Sequence, residues 1–285
     1  MSNIFNFKRF GLVLRKDFLE NWKLYTLLFL TMLGVITIVI TWISFEQYKS
    51  NNSPELNVIL LRVLSMMFGA FGLLFASTFM NPMNNKTKRI AYLLNPSSNI
   101  EKFMTRWIIV TVGYAISFFI ALWIADIFRV VLCTARYQEI NVIFLDLTKL
   151  VLFNDAQVLN DLTLNDVYAF SKELFIMSAT MCLLFQSLFI LGSTFWEKTT
   201  FVKTFTAGIL ILLSFILICR WTILLFYGNF EAFVNVLESI LPSTKIDINT
   251  DKELALTSFL ISVFTLANWT LSFFRFRESE IIKRL

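Results

Sequence analysis

Six long apolar stretches constrain this chain more than any other feature of its sequence. Each is about 20 residues or longer and almost uncharged, and a helix of that length crosses the hydrocarbon core of a bilayer. Hydrophobic residues make up 57% of the chain and charged residues only 16%, which is too little charge to cover a soluble protein of this length. The sequence therefore predicts a single all-α integral membrane domain, residues 1–285. Its six predicted spans cover 25–43, 56–80, 107–131, 173–196, 201–227 and 254–274.

Basic residues are distributed unevenly over the segments between the spans. With a cytoplasmic N-terminus, the inner segments hold 16 Lys and Arg against 6 Asp and Glu, whereas the outer segments hold 7 against 11. Because segments rich in Lys and Arg stay on the cytoplasmic side, both ends of the chain are predicted to lie inside. Tryptophans near the ends of the spans agree with these boundaries, since indole prefers the membrane interface.

Residues 1–24, which precede the first span, have the pattern of an amphipathic helix. Apolar side chains recur every three or four residues, and cations lie on the other faces. This pattern is typical of a helix that lies in a membrane interface among anionic lipid headgroups, so we predict that the segment contacts membrane lipid on the inner side. The residues of its apolar face are Phe7, Phe10, Leu14, Phe18 and Trp22.

The inner segment between the second and third spans, residues 82–106, has more structure than a simple loop. Asn81-Pro82 and Asn95-Pro96 interrupt it, and three basic residues are followed by the apolar stretch 90–94. The capping-box pattern Ser98-x-x-Glu101 predicts a helix that begins there and continues into the third span. An apolar patch rimmed by charge is typical of a docking surface.

Two outer segments, residues 132–172 and 228–252, are longer than ordinary connectors. The first contains the apolar pieces 142–145 and 150–153, which need cover and are predicted to pack on the bundle or on the membrane surface. The second has apolar residues at helical spacing that end at Pro242, which predicts a short helix dipping into the outer leaflet.

Ionisable residues of the predicted spans avoid the middle of the membrane. They lie toward the outer ends, where they can reach the surface or pair, and a contact with substrate is the alternative. Asp126 and Arg129 have the i, i+3 spacing of a pair that neutralises itself on one helix. The remaining residues of this group are Arg62, Glu173, Arg220 and Glu253.

Polar and small residues within the spans predict contacts between helices. Gln186 and Asn268 are expected to form interhelical hydrogen bonds. Gly69, Gly72 and Ala76 form a strip of small residues on the second span, along which another helix or a second copy of the chain can approach closely.

Several kinds of chemistry are excluded by what the chain lacks. It contains no His, which rules out Ser–His and Cys–His relays and HExxH zinc sites, and no G-x-x-x-x-G-K phosphate loop. Cys133, Cys182 and Cys219 lie in or beside apolar stretches without C-x-x-C spacing, so they are predicted to be buried thiols. We expect no catalytic residue, no metal and no cofactor on this chain. No nucleic acid is expected as a partner, because the cations flank the membrane.

The topology and one local string resemble the permease subunit of ABC-2-type transporters. The shared topology consists of six spans with both ends inside, an amphipathic helix before the first span and a docking-type segment between spans two and three. Residues 89–106, RIAYLLNPSSNIEKFMTR, are similar to a Leu-Pro-(Ala/Ser)-Ser-x-x-Glu-Lys-Phe sequence of one bacterial branch, with Asn95 in place of the Leu before Pro96. The apolar part of 228–252 resembles the outer re-entrant hairpin of that family.

The resemblance implies the membrane-spanning subunit of an ATP-driven exporter in the bacterial inner membrane. It implies that 82–106 is a cytoplasmic coupling helix that contacts a separate ATP-binding subunit, which would hold ATP and Mg²⁺, so that this chain is not itself an enzyme. It also implies a second permease copy, in a homodimer or heterodimer, with the path for an amphiphilic or peptide-like substrate between the two. The residues that it assigns to the ATPase contact are Lys86, Lys88, Arg89, Tyr92, Leu93, Ser98, Glu101 and Lys102.

Two other functions are compatible with the same residues. A non-transporting scaffold, sensor or self-protection protein could bind a partner or lipid through residues 1–24 and the long outer segment. A secondary transporter would need carboxylates in the middle of the membrane or broken helices, and the predicted spans carry no charge at their middle.

Overall fold

The structure, a computed structural model, describes residues 5–49, 56–83, 89–90, 92, 94–137, 144–145, 172–196, 199–227 and 250–281. Within these ranges the chain is helical, without β-strands, and six helical stretches are long and apolar enough to cross a membrane. This confirms the predicted all-α fold with six candidate spans. In chain order the elements are α1 (Phe7–Lys49), α2 (Leu56–Ser77), a 3₁₀ turn (Asn81–Met83), α3 (Asn99–Ile108), a π-helical turn (Ile109–Gly113), α4 (Tyr114–Arg136), α5 (Lys172–Phe195), α6 (Thr200–Tyr227) and α7 (Thr250–Ile281).

One continuous helix, α1, replaces the two elements predicted for 1–24 and 25–43. It runs for 43 residues, because residues 20–30 contain neither the proline nor the glycine that would break it. At 1.5 Å per residue, α1 is about 64 Å long, roughly twice the thickness of a hydrocarbon core. About half of α1 therefore extends beyond a single crossing of the membrane.

The first part of α1 packs against the rest of the protein with a different face from its apolar one. Val13 and Asp17 are buried, whereas Phe7, Phe18 and Trp22 are 82%, 55% and 52% exposed. The other two residues of the predicted apolar face, Phe10 and Leu14, are half-buried. The location of residues 1–24 in a membrane interface stays a prediction.

The third span begins with the cap that the sequence predicted. The Ser98 hydroxyl accepts a hydrogen bond from the Glu101 N–H, and the Glu101 carboxylate accepts one from the Ser98 N–H, so the capping box is complete. The helix then continues through the π turn into α4. At that turn the Tyr114 N–H donates to the Ile109 carbonyl, five residues back, so the turn holds one residue more than an α-helical turn.

Two clusters of buried apolar side chains hold the helices together. One lies where α1, α2 and α4 meet, and the other lies where the end of α2 meets α3, α5 and α7. Because lipid tails are as apolar as these side chains, the clusters stabilise the bundle in a membrane through close packing. The first cluster includes Met32, Ile36, Ile40, Leu60, Leu64, Phe118 and Leu122, and the second Ala76, Phe79, Met83, Phe103, Val110, Phe189, Ile190 and Phe276.

Contacts near the helix ends define two sides of the bundle. The Tyr137 hydroxyl donates to the Phe45 carbonyl at 3.4 Å, so α1 and α4 end on the same side. α2 begins there as well, because only 50–55 separate it from α1. We call this the distal side. α5 ends on the opposite, proximal side, since Phe189 packs with the residues at the end of α2, and α6 therefore begins on the proximal side and ends on the distal one.

The small-residue strip on α2 packs within the chain along part of its length. A Cβ at Gly72 would lie 3.3 Å from the Tyr114 ring, and the Tyr114 hydroxyl donates to the Phe68 carbonyl. Ala76 is completely buried. A Cβ at Gly69 would meet nothing within 4 Å, so this position is open. Two of the three predicted packing residues thus contact other helices of this chain.

The predicted interhelical hydrogen bonds are both present. The Gln186 Nε2 of α5 donates to the Val110 carbonyl in the third span at 3.0 Å. The Asn268 Nδ2 of α7 donates to the Ser187 hydroxyl of α5, also at 3.0 Å. These bonds tie α5 to the third span on one side and to α7 on the other.

The predicted pair of Asp126 and Arg129 is also present, and it is buried. The carboxylate accepts from the Arg129 Nε at 2.7 Å and from the Leu145 N–H at 2.8 Å. Leu145 joins the first apolar cluster, so this residue of the predicted piece 142–145 packs on the bundle, and 142–143 lie outside the described residues. The piece 150–153 and most of the 228–252 segment lie outside the described residues.

The apolar helix α6 makes the least contact with the rest of the chain. None of the 18 residues of its most apolar window is buried, so in a membrane this helix is covered by lipid or by another protein. α6 meets α5 at a tight hairpin, in which Thr199 adopts a left-handed φ of 54°. Close to this hairpin, Gly192 of α5 faces Thr204 of α6.

We predict that Gly192→Ala destabilises this hairpin by about 1–3 kcal/mol, as is typical of overpacking. The added Cβ would lie 2.3 Å from the Thr204 Oγ1, 2.4 Å from its Cγ2 and 2.9 Å from its Cβ. Thermal unfolding of the detergent-solubilised protein measures the effect, and Thr204→Gly should restore the stability of the Gly192→Ala protein. Gly208→Ala in α6 is the control, because a Cβ there meets nothing within 4 Å. Equal unfolding temperatures for both alanine variants would contradict the tight contact.

Candidate functional site

A buried ion pair joins the first part of α1 to α3. The Arg106 Nη1 of α3 lies 2.9 Å from the Asp17 Oδ2 of α1, and both side chains are less than 10% exposed. The Tyr25 hydroxyl donates to the same Asp17 oxygen at 3.0 Å and accepts from the Arg106 Nη1 at 2.6 Å. The Asn21 Nδ2 donates to the other carboxylate oxygen at 3.1 Å. Arg106 is thus held on α1 by an anion and a phenol together.

Arg106 also reaches the end of the second span. Its Nε donates to the carbonyl of Phe79 at 3.2 Å, just before the 3₁₀ turn. Carbonyls at the end of a helix lack partners within the helix, so a guanidinium there stabilises the chain end. One side chain therefore connects three places: α1, the end of α2 and the start of the third span.

A second ion pair lies about one and a half turns earlier on α3. The Glu101 carboxylate is fully buried, and its Oε1 accepts from the Arg9 Nη2 at 3.0 Å and from the Asn6 N–H at 2.8 Å. The other oxygen, Oε2, closes the capping box with the Ser98 N–H at 3.0 Å. This carboxylate therefore caps its own helix and holds the beginning of α1 at the same time.

The order of the charges fixes how α1 lies on α3. Along α1 a cation, Arg9, precedes an anion, Asp17, whereas along α3 an anion, Glu101, precedes a cation, Arg106. Both pairs form only when the two helices run in the same direction, because the antiparallel arrangement would place like charges together. Buried charges without partners are costly, so the two pairs select a single register.

The stretch before α3 folds against this site. The Arg89 Nε donates to the Met83 carbonyl at 3.2 Å. The Tyr92 hydroxyl donates to the Lys102 carbonyl at 3.4 Å, and the Lys102 ammonium lies 5.7 Å from the centre of the Tyr92 ring. The middle of the 82–106 segment is therefore bonded both to its start and to its end.

Two apolar side chains of this stretch remain on the surface. Ile90 is 51% exposed and Leu94 is 77% exposed, on either side of the half-buried Tyr92. They belong to the apolar stretch 90–94 that predicted a docking surface. This part of the segment therefore presents an apolar patch outside the helix bundle.

Glu101 and Lys102, two of the residues that the resemblance assigns to the contact with a separate subunit, are covered within this chain. Glu101 is fully buried and Lys102 is 3% exposed, because α1 and Tyr92 cover them. Arg89, Tyr92 and Ser98 are half-buried. Lys86, Lys88 and Leu93 lie outside the described residues.

Sequence reasoning missed the partners that α1 contributes. Asp17 was the available signal, as an acid among cations and on a different face from Phe7, Phe18 and Trp22. Its partner Arg106 lies 89 positions further on. No spacing rule for a single helix reaches that distance, so one sequence could not have paired them.

The two carboxylates of this site both form contacts between helices. Both carboxylates are engaged by guanidinium groups and hydrogen bonds, which leaves neither placed to act as a base. Among the described residues no group of His, Cys, Asp and Glu could hold a metal ion. Cys133 is buried and Cys182 and Cys219 are half-buried, and all three are free thiols.

The described residues form an all-helical fold with six candidate membrane spans. Two ion pairs hold its proximal side together: Asp17–Arg106 is buried on both sides, and Arg9 of the Arg9–Glu101 pair is 34% exposed. Comparisons with protein-family models, with curated proteins and with solved structures find no match.

We predict that Asp17→Asn destabilises the protein by about 3–5 kcal/mol, because it leaves the Arg106 guanidinium buried without its anion. Thermal unfolding in detergent or nanodiscs measures the change. The combined substitution Asp17→Leu with Arg106→Met removes both charges and should recover most of the loss.

Glu20→Gln is the matched control for this prediction. Glu20 pairs with Lys16 on the same helix at 3.7 Å, but the two side chains are 62% and 44% exposed. Loss of such a surface pair changes stability by less than about 1 kcal/mol. If Asp17→Asn were as mild as Glu20→Gln, the buried pair would not be what holds α1 on α3.

Proposed function

We propose that this chain is the membrane-spanning permease subunit of an ATP-driven exporter of the ABC-2 type. In this proposal the proximal side is cytoplasmic, and residues 82–106 are the coupling segment that docks on a separate ATP-binding subunit. That subunit supplies ATP and Mg²⁺, since this chain has no phosphate loop. A second permease copy, in a homodimer or heterodimer, completes the path through the bacterial inner membrane.

The observation that carries the proposal is the connection between the 82–106 segment and the spans. Ile90 and Leu94 form an exposed apolar patch, and the same segment ends in Arg106, which is bonded to α1 and to the end of α2. A displacement applied at the patch would therefore reach three spans through buried bonds. This is the linkage that a transporter needs when the energy source is a different polypeptide.

The substrate class follows from the surfaces that the spans offer. The exposed parts of α6 and α7 are apolar, with side chains such as Phe215, Leu225, Phe259 and Phe264 more than 60% exposed. An amphiphilic or peptide-like substrate suits such surfaces. The charged pair Asp126 and Arg129 is buried and self-neutralised, so it is not offered to a substrate.

Leu94→Asp tests the docking surface. We expect it to reduce substrate-stimulated ATP hydrolysis at least roughly tenfold when the chain is co-expressed and reconstituted with the ATP-binding subunit encoded beside it, because a charge would be buried in the contact. Lys88→Glu, which reverses a charge two residues before Ile90, should weaken co-purification of the two subunits.

Phe144→Asp is the control for this experiment. Phe144 is 59% exposed, but it lies next to Leu145 on the distal side, away from the patch. It should leave hydrolysis and co-purification unchanged. Full coupling in the Leu94→Asp protein, or no co-purifying ATPase with the unmodified chain, would refute the proposed function.

A further inference from the structure

Four arginines of the described residues lie toward the distal side of the bundle, and they differ in how their charge is met. Arg136, at the end of α4, lies over the Phe45 ring, 5.6 Å from its centre. Arg129 in α4 is 1% exposed and is paired with Asp126. Arg62 lies six residues after the start of α2, and Arg220 lies seven residues before the end of α6. Each is therefore about 10 Å from the distal end of its helix.

Arg62 and Arg220 are both exposed, and among the described residues neither guanidinium has a hydrogen bond or an ion pair. Both stand on apolar surfaces. Met66, one turn from Arg62, is 67% exposed, and Leu217 and Trp221 beside Arg220 are 56% and 67% exposed. On the distal side, Arg129 is thus neutralised within the bundle, whereas Arg62 and Arg220 stand on exposed apolar surface.

A guanidinium near the end of a membrane-spanning helix favours an anionic partner. Charged groups are strongly disfavoured in hydrocarbon, and arginine avoids this cost by extending toward the headgroup layer. Its planar fork matches the two oxygens of a phosphate, which a lysine ammonium cannot do. Arg62 and Arg220 lie toward the same end of two different helices, α2 and α6.

We infer that Arg62 and Arg220 each bind the phosphate of an anionic phospholipid headgroup on the distal side of the bundle. The apolar side chains around them would contact the acyl chains of the same lipid. A bilayer lipid fits better than a soluble anion, because the surfaces that carry both arginines are apolar. This inference goes beyond the proposed function, since it involves neither ATP nor a partner subunit.

Lipid retention tests the inference directly. The full chain is reconstituted in nanodiscs of equal parts phosphatidylglycerol and phosphatidylcholine and then exchanged into detergent, and the retained lipids are counted by native mass spectrometry. We expect a preference for phosphatidylglycerol that falls about fivefold for Arg62→Gln or Arg220→Gln, the usual contribution of one cation at a membrane surface. The double variant should lower the preference further than either single variant.

Conservative and matched variants keep the test independent of folding. Arg62→Lys and Arg220→Lys retain the charge but lose the fork, and they should bind with intermediate preference. Lys203→Gln makes the same charge change on α6, at its proximal end, where Lys203 lies 5.4 Å from the centre of the Trp196 ring. It should lower the preference for phosphatidylglycerol less than either arginine variant does.

Two results would overturn the inference. One is equal retention of phosphatidylglycerol by the unmodified chain and the double glutamine variant, which would mean that other groups neutralise the arginines. The other is displacement of the lipid by inorganic phosphate but not by sodium chloride of the same ionic strength, which would assign the pair to a soluble anion. Neither result depends on ATPase coupling, so the proposed function is judged separately.

Discussion

The buried contact of Arg106 with Asp17 is the interaction on which the proximal half of this molecule depends. It brings a full positive and a full negative charge out of water, and further hydrogen bonds to both groups offset that cost. Tyr25, Asn21 and the Phe79 carbonyl supply such bonds, while the Arg106 Nη2 is buried without a hydrogen-bond partner among the described residues. Because these partners come from two other spans, the geometry of three helices is set at one point.

Arg9 and Glu101 extend this control along the same two helices. A single ion pair would allow α1 to rotate about the contact, but two pairs with reversed charge order fix direction and register together. The ion pairs thus set the direction and register of the two helices, and the apolar clusters add close packing around them. Polar contacts are selective in this way within a membrane, where apolar packing alone discriminates poorly among arrangements.

Much of the fold could be predicted from the sequence, because a helix needs about 20 apolar residues to cross a bilayer. Six apolar stretches predicted six candidate spans, and the Ser98 cap and the Asp126–Arg129 pair followed from spacing within one helix. The bonds of Gln186 and Asn268 were expected as a type, since polar groups in a bundle seek partners on other helices. All of these depend on local rules.

The two ion pairs between α1 and α3 could not be predicted from such local rules. Residues 1–24 have the clear apolar face of an amphipathic surface helix, and continuity with the first span leaves no mark in a sequence without helix breakers. Glu101 and Lys102 look like exposed charges in a basic segment until α1 and Tyr92 are seen to cover them. Contacts between positions about 90 residues apart require the tertiary structure.

The π turn in the third span determines the angular alignment of its two halves. In a regular helix, at about 100° per residue, Arg106 and Tyr114 would point about 80° apart, whereas the one extra residue of the turn reduces this difference to about 20°. The guanidinium that holds α1 and the aromatic face that packs on α2 thus share one side of a continuous rod. Loss of one residue from Ile109–Gly113 would leave a regular helical turn, with Arg106 and Tyr114 still about 20° apart. Insertion of one further residue would rotate Arg106 by about 100° relative to α4. The third span can therefore be shortened at this turn without disturbing either contact, but it cannot be lengthened there.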